Sequence, residues 1–177
     1  MKSKGNEKDG TIHFILTGGT IDSYYNGTKD TVEPYKKSVL PRIVSDMKLH
    51  IKTKFTQVCM KDSRNLTEND MNNVVKTIKK SKEKYFIVCH GTYCMPDTAR
   101  YLAARLKKHN KIILFTGSMV PIGFFNSDAM FNLGFSISEI FHLKSGIYVS
   151  MNGKIFLPNE IAKLISQGQF ISIFGEK

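Results

Sequence analysis

Hydroxyl and glycine residues stand together directly after two apolar runs of this sequence. The segment TGGT at residues 17–20 follows the apolar run at 11–16. Its glycine pair permits positive φ, so Gly19 lets the backbone approach a ligand closely while Thr20 presents a hydroxyl. The segment HGTY at 90–93 follows the run at 85–89. There Thr92 adds a second hydroxyl, and backbone N–H groups around Gly91 could form an oxyanion hole.

Two further polar segments extend this set of candidate residues. TGS at 116–118 places Ser118 at the end of a third apolar run. DSRN at 62–65 puts Ser63 and Arg64 just before a predicted helix. A hydroxyl nucleophile is weak at neutral pH and needs an adjacent base. Taken singly, each segment is also explained as a turn or a helix cap, so only their combination indicates a site.

Strand and helix signals alternate along the chain, and the fold that this alternation predicts determines whether the polar segments lie close together. We predict five helices, at 38–47, from the N-cap Thr67 through 78, at 97–109, from 127 or 128 to 143, and at 159–167. We predict six strands, at 11–16, 52–60, 85–89, 111–115, 146–150 and 154–157. The last two strands flank Asn152-Gly153, a hairpin signal. The polar residues 22–34 are expected to form a mobile loop.

This alternation predicts an α/β fold: a three-layer sandwich with a mainly parallel sheet and helices on both faces, Rossmann- or flavodoxin-like. Ligands of such folds bind beyond the carboxyl ends of the strands, where the glycine and hydroxyl segments lie. Residues 1–10 are expected to be a disordered tail and 11–177 a single domain. No apolar run is long enough for a membrane span, and no signal peptide is expected.

Composition limits the kinds of partner and cofactor that we expect and indicates the cellular compartment. The net charge is +11, but its lysines fall on the outer faces of predicted helices without interleaved aromatics, so we do not expect a nucleic-acid partner. The five histidines are scattered, which argues against a metal site. No nucleotide motif is present, so no cofactor is expected. Three cysteines, an odd number without a CxxC pair, favour the cytoplasm.

The order of the motifs resembles the amino-terminal, active-site domain of the L-asparaginase family. TGGTI at 17–21, DS at 62–63, HGT at 90–92, TGSM at 116–119 and SDA at 127–129 carry the resemblance, which extends from about 11 to 170. Endings such as MNGKIF at 151–156 and GQF at 168–170 are similar to those of short, single-domain asparaginase-like proteins. The resemblance implies hydrolysis of a small side-chain amide, asparagine or a relative, through an acyl-enzyme in a homo-oligomer.

The resemblance also implies a role for each matching position. Thr20 matches the nucleophile, Ser63 the serine that holds the substrate carboxylate, and Thr92 the threonine that works with a lysine. That lysine is best matched by Lys163, and Tyr25 matches the lid tyrosine, with Tyr24 as the competing choice. The remaining expected substrate-binding residues are Gly19, Arg64, Gly91, Tyr93 and Ser118.

Two departures from the family bear on activity. The family has aspartate after the HGT threonine, where it pairs with the lysine and receives the substrate ammonium, but this chain has Tyr93. Active members also generally carry a carboxyl-terminal domain, whereas the resemblance found here covers only the amino-terminal domain, from about 11 to 170. We therefore expect altered specificity or weak activity. Two alternatives stay open: a degenerate small-ligand binding module, and a subunit of an amide-handling complex on transfer RNA.

Overall fold

The computed structural model describes residues 10–174, so the expected tail at 1–10 lies, apart from Gly10, outside the described residues. In chain order its strands are β1 Ile12–Gly18, β2 Ser23–Asn26, β3 Thr31–Pro34, β4 Thr53–Lys61, β5 Tyr85–Cys89, β6 Ile112–Thr116, β7 Gly146–Met151, β8 Lys154–Phe156, β9 Ile161–Leu164 and β10 Gln169–Ser172. Its α-helices are α1 Leu40–Asp46, α2 Glu68–Lys80, α3 Met95–Arg105 and α4 Ala129–Glu139. No helix within 10–174 has the length and apolar character needed to cross a membrane.

Six strands form the main sheet in the order β4-β1-β5-β6-β7-β8. The first five are parallel, and β8 closes one edge as an antiparallel hairpin partner of β7. Numbered among themselves, the parallel strands have the order 2-1-3-4-5, which is the flavodoxin-like arrangement. The predicted fold class is confirmed, and the order places the topological switch point between β1 and β5.

Successive side chains of each central strand point to opposite faces of the sheet, and each face carries its own apolar layer. On one face Ile15, Phe86 and Val88 belong to a buried cluster with residues of α2 and α3. On the other, Phe14 and Ile87 pack with residues of α1 and α4. Both faces are therefore covered, as the continuous apolar runs of the central strands require.

The start of α2 follows the capping prediction. The Thr67 hydroxyl accepts a hydrogen bond from the Asp70 N–H at 3.2 Å, and the Asp70 carboxylate accepts one from the Thr67 N–H at 2.8 Å. This reciprocal pair satisfies two N–H groups that have no partner inside the helix. It also fixes the direction in which the chain leaves the 62–65 segment.

The prediction of a mobile loop at 22–34 is wrong. Residues 23–26 and 31–34 form the antiparallel hairpin β2–β3, paired from Ser23 opposite Pro34 to Asn26 opposite Thr31. The Asn26 side-chain amide donates to Glu33 Oε2 at 2.8 Å across the hairpin. Cross-strand polar contacts of this kind hold a segment whose composition alone indicated a loop.

The last predicted helix is also wrong. Residues 161–164 form β9, which pairs antiparallel with β10, and 165–167 form one turn of 3-10 helix. The hairpin buries Ile161 and Phe170 against the cluster that α3 covers, so tertiary packing decides its conformation. Two other helices end earlier than predicted, α3 at Arg105 and α4 at Glu139.

Candidate active site

A small polar cavity of about 160 Å³ lies at the carboxyl ends of β1 and β5, at the switch point of the sheet. It is lined by Gly19, Thr20, Asp62, Ser63, Arg64, Gly91, Thr92, Tyr93 and Lys163. Eight of these nine were predicted as site residues, and Asp62 was not. The chain thus brings together four segments that are far apart in sequence.

Glycine at two positions allows the strand ends to approach each other. Gly19 has φ 79° and ψ −178°, a region that is essentially restricted to glycine. A Cβ on Gly19 would lie 2.3 Å from the Gly91 Cα, and one on Gly91 would lie 2.7 Å from the Ser63 Oγ. The two turns therefore pack backbone to backbone, which places Thr20 and Thr92 at one cavity.

Lys163 reaches Thr92 across 71 residues of sequence. Its Nζ lies 2.7 Å from the Thr92 Oγ1, and the Thr92 side chain is buried. The strand β9 that carries Lys163 is held to α3 by a hydrogen bond of 2.7 Å, which the Arg100 guanidinium donates to the Ile161 carbonyl. The sequence predicted this lysine in a helix, but a strand presents it.

The surroundings of Lys163 favour its neutral form. Burial lowers the pKa of its ammonium below the ordinary value, and the positive charge of Arg64 lowers it further. The carboxylate of Asp62 opposes both effects. A lysine with a depressed pKa has a larger neutral fraction near pH 7 and can accept a proton.

Asp62 is the carboxylate that the sequence prediction missed. It caps the 3-10 helix at 63–65 and accepts hydrogen bonds from the Arg64 backbone N–H at 2.9 Å, Nε at 3.1 Å and Nη2 at 2.8 Å. These bonds from Arg64 are the main reason that the Asp62 pKa lies below its usual value. Its position directly before Ser63, inside a polar segment already singled out, was the available signal.

Ser63 and Tyr93 also line the cavity, and they differ in solvent exposure. Ser63 is buried, and its Oγ accepts a hydrogen bond from the Cys94 N–H at 3.3 Å, which leaves its hydroxyl hydrogen able to donate to a ligand. Tyr93 is 52% exposed at the mouth of the cavity, with the Arg64 Cζ 5.9 Å from its ring centroid.

Two predicted site residues lie away from this lining. Tyr25 is exposed on the β2–β3 hairpin and donates its phenol hydrogen to Asp30, while the competing Tyr24 packs its ring on Tyr35. Ser118 is fully buried and donates to the Val120 carbonyl at 2.6 Å. Neither Tyr25 nor Ser118 lines the cavity, so we leave both out of the proposed site.

His90 stands beside the site without facing it. Burial lowers its pKa to about 4, so the imidazole is neutral at physiological pH. One ring nitrogen, Nδ1, lies 2.7 Å from the Gly91 carbonyl, while Nε2 is buried without a partner among the described residues. Within 10–174 no three His, Cys, Asp or Glu side chains are grouped closely enough to hold a metal ion.

The fold and the cavity define a flavodoxin-like α/β domain that assembles two threonines and a lysine at its switch point. Residues 11–170 match the family model described as asparaginase, N-terminal. The chain belongs to the asparaginase family and corresponds to its amino-terminal domain.

Three known proteins are similar to this chain, two in sequence over part of its length and one in fold. L-asparaginase 1 of Escherichia coli is 34% identical over 74 residues, 41% of this chain and 22% of that protein. The human 60 kDa lysophospholipase is 32% identical over 102 residues, 56% of this chain and 17% of that protein. The solved thermostable L-asparaginase of Thermococcus kodakarensis superposes with a TM-score of 0.80 at 24% identity, over 94% of this chain and 52% of that one. The chain therefore spans about half the length of that structure.

Proposed function

We propose that this domain is an asparaginase-like amidohydrolase that cleaves a small amide through an acyl-enzyme on Thr20. The observation that carries the proposal is the 2.7 Å contact between Lys163 Nζ and Thr92 Oγ1 at a cavity that Thr20 also lines. A hydroxyl nucleophile needs a base within reach, and a lysine of lowered pKa beside a second hydroxyl supplies one.

In the acylation step the Thr20 oxygen attacks the amide carbon, and its proton passes to the pair formed by Thr92 and neutral Lys163. The carbon–nitrogen bond breaks, the nitrogen takes a proton and ammonia leaves, so an ester to Thr20 remains. Water, deprotonated by the same pair, then attacks this ester and releases the acid. General base catalysis of this kind contributes about 10²- to 10⁴-fold.

Backbone and side-chain donors at the cavity support this chemistry. We assign the N–H groups of the turn at Gly91 and Thr92 to the oxygen that becomes negative during attack. Loss of one such donor typically lowers the rate by about 10²- to 10³-fold. The buried Ser63 hydroxyl is assigned to a carboxylate of the substrate, because its hydrogen is available to a ligand oxygen.

Ammonia release tests this proposal. The purified chain is incubated with a panel of small amides, L-asparagine and L-glutamine included, beside Thr20→Ala and the control Thr31→Ala, which alters an exposed threonine of β3. We expect release from at least one amide by the parent and the control but not by Thr20→Ala. Equal release by Thr20→Ala would contradict the assigned nucleophile.

A second candidate is a binding module that keeps the cavity without turnover. Tyr93 favours it, because an exposed phenol stands where the family carries an aspartate. In that case the parent releases no ammonia from any amide, whereas Tyr93→Asp gains release from asparagine. Release by the parent would eliminate this candidate.

We further propose that the domain acts in the cytoplasm as a homo-oligomer. The cavity is open to solvent, and large apolar side chains stand exposed in the described part of the chain, among them Phe125, Phe131, Ile165 and Phe174. A neighbouring copy would cover such surface and help to exclude water from the cavity. Light scattering during size-exclusion chromatography measures the mass, and a mass of 20.1 kDa at micromolar concentration would contradict the oligomer.

A further inference from the structure

The ionisable side chains that line the cavity include more basic groups than carboxylates. Lys163 and Arg64 are the cationic side chains of the lining, and Asp62 is its carboxylate. With Lys163 neutral, as the mechanism requires, the charges of Arg64 and Asp62 balance, and with Lys163 protonated the lining carries one net positive charge. In neither state does the lining hold a net negative charge that would attract an ammonium, whereas Arg64 is a cation that a ligand carboxylate can approach.

The carboxylate of Asp62 is already engaged. Both of its oxygens accept hydrogen bonds from the Arg64 guanidinium, at 3.1 Å and 2.8 Å, and Oδ1 also accepts the Arg64 backbone N–H at 2.9 Å. This bidentate geometry is the strong form of the arginine–carboxylate pair. An incoming ammonium would have to compete with Arg64 for Asp62, so it gains little from that carboxylate.

Tyr93 offers an ammonium no negative charge at the mouth of the cavity. Its ring lies beside Arg64, whose Cζ is 5.9 Å from the centroid, so a cation already occupies the neighbourhood of that aromatic face. A desolvated ammonium without a carboxylate partner is costly, because its lost hydration is not replaced. Ser63, by contrast, can donate its hydroxyl hydrogen to a carboxylate.

We infer that the preferred substrate of this site is an amide that carries a carboxylate but no α-ammonium, such as the monoamide of a short dicarboxylic acid. The inference rests on the proposed function and names the substrate class of the same cavity. A volume of about 160 Å³ agrees with a short ligand, since drug-sized ligands need roughly 300 Å³ or more.

The reaction keeps the steps of the proposed mechanism. The Thr20 oxygen forms an ester with the amide carbon, the carbon–nitrogen bond breaks, and ammonia carries away the nitrogen. Water then adds to the ester, restores the Thr20 hydroxyl and releases the dicarboxylate. No oxidant, reductant or further reactant takes part.

Succinamate tests the substrate class, because it is L-asparagine without the α-amino group. Ammonia release at pH 7 is compared for succinamate, L-asparagine and propionamide, which lacks both charged groups. We expect kcat/KM for succinamate to exceed that for asparagine by about 10- to 150-fold, the factor that one missing charge-assisted hydrogen bond produces. Propionamide should be slower than succinamate, because it lacks the carboxylate.

A matched pair of variants tests whether charge is the cause. Tyr93→Asp introduces a carboxylate, and Tyr93→Asn introduces a side chain of the same size without charge. We expect Tyr93→Asp to shift the preference toward asparagine by about 10-fold or more, and Tyr93→Asn to keep the preference for succinamate. An equal shift in both variants would overturn the charge argument.

The outcomes separate this inference from the proposed function. Faster release from asparagine than from succinamate by the parent overturns the inference and leaves the amidohydrolase intact. If the parent releases ammonia from none of the amides, the proposed function fails, and calorimetric binding of succinate and L-aspartate decides the inference. Succinate must then bind at least about 10-fold more tightly, and equal or absent binding overturns it.

Discussion

Replacing Gly19 with alanine should strain the junction between β1 and β5 that forms the cavity. Gly19 has φ 79° and ψ −178°, where a side chain costs about 1–3 kcal/mol. The new Cβ would also lie 2.3 Å from the Gly91 Cα and N. Because both contacts are to backbone atoms, neither can be relieved by a rotamer change, and one of the two turns must move.

The magnitude follows from these two contributions. Overpacking typically costs about 1–3 kcal/mol, so the total destabilisation is roughly 2–6 kcal/mol. For a chain of this size, 1 kcal/mol corresponds to about 2–4 °C in Tm. Taking about 4 kcal/mol as the midpoint, we expect Gly19→Ala to lower Tm by roughly 8–16 °C. Domains of this kind have about 5–15 kcal/mol of stability, so the variant should still fold at low temperature.

Thermal unfolding followed by circular dichroism measures this effect, with Gly134→Ala as the matched control. Gly134 lies inside α4, where an added Cβ meets no atom within 4 Å. Alanine in a helix interior is favoured over glycine by about 0.5–1 kcal/mol, so the control should be slightly more stable than the parent. A Tm of Gly19→Ala within about 2 °C of the parent would mean that the turns at Gly19 and Gly91 accommodate a Cβ without strain.

Three further perturbations test the surroundings of the site. If neutral Lys163 is the base, kcat for the best amide should rise with pH through a midpoint below 10.5, because burial lowers the pKa of this lysine. Above that midpoint Lys163→Met should lose about 10²- to 10⁴-fold in kcat, and the loss should shrink below it, where the parent lysine is protonated. A flat profile from pH 6 to 10 would exclude that role. Arg100→Met removes the 2.7 Å hydrogen bond to the Ile161 carbonyl, so it should loosen β9 and lower kcat more than it changes KM. The exposed control Arg42→Met should change neither kcat nor KM. Asn132→Ala leaves the Gly117 carbonyl and the Asn152 N–H without their Asn132 partners. Urea unfolding should therefore show a loss of about 2–4 kcal/mol in the free energy of unfolding, against less than about 0.5 kcal/mol for the exposed control Asn69→Ala.

The sheet could be predicted from sequence because its strands are buried on both faces. Runs such as 85–89 and 111–115 are continuously apolar and are followed by glycine turns, which is the pattern of central parallel strands. The two hairpins could not be predicted in this way. The hairpin β2–β3 is polar, and β9 owes its conformation to the burial of Ile161 and Phe170 against distant parts of the chain. Local composition carries no information on either contact.

The part of the candidate site that lies at the ends of the sheet strands could be predicted from sequence. Thr20 and Thr92 follow adjacent strands of the sheet, so topology alone brings them to one cavity. Lys163 depended on the family resemblance, since its approach to Thr92 requires the β9–β10 hairpin. Ser118 also follows a central strand, but its hydroxyl turns to the Val120 carbonyl, a choice of rotamer that no sequence pattern specifies.

Covalent labelling shows whether Thr20 is the nucleophile of this cavity. The chain is incubated with an electrophilic analogue of a short carboxylate-bearing amide, and the adduct is located by peptide mass spectrometry. We expect one adduct on Thr20 in the parent, none in Thr20→Ala, and labelling slowed by about 10²-fold or more in Lys163→Met. An adduct elsewhere with Thr20 unmodified would exclude Thr20 as the nucleophile, and equal labelling rates in the parent and Lys163→Met would exclude Lys163 as its base.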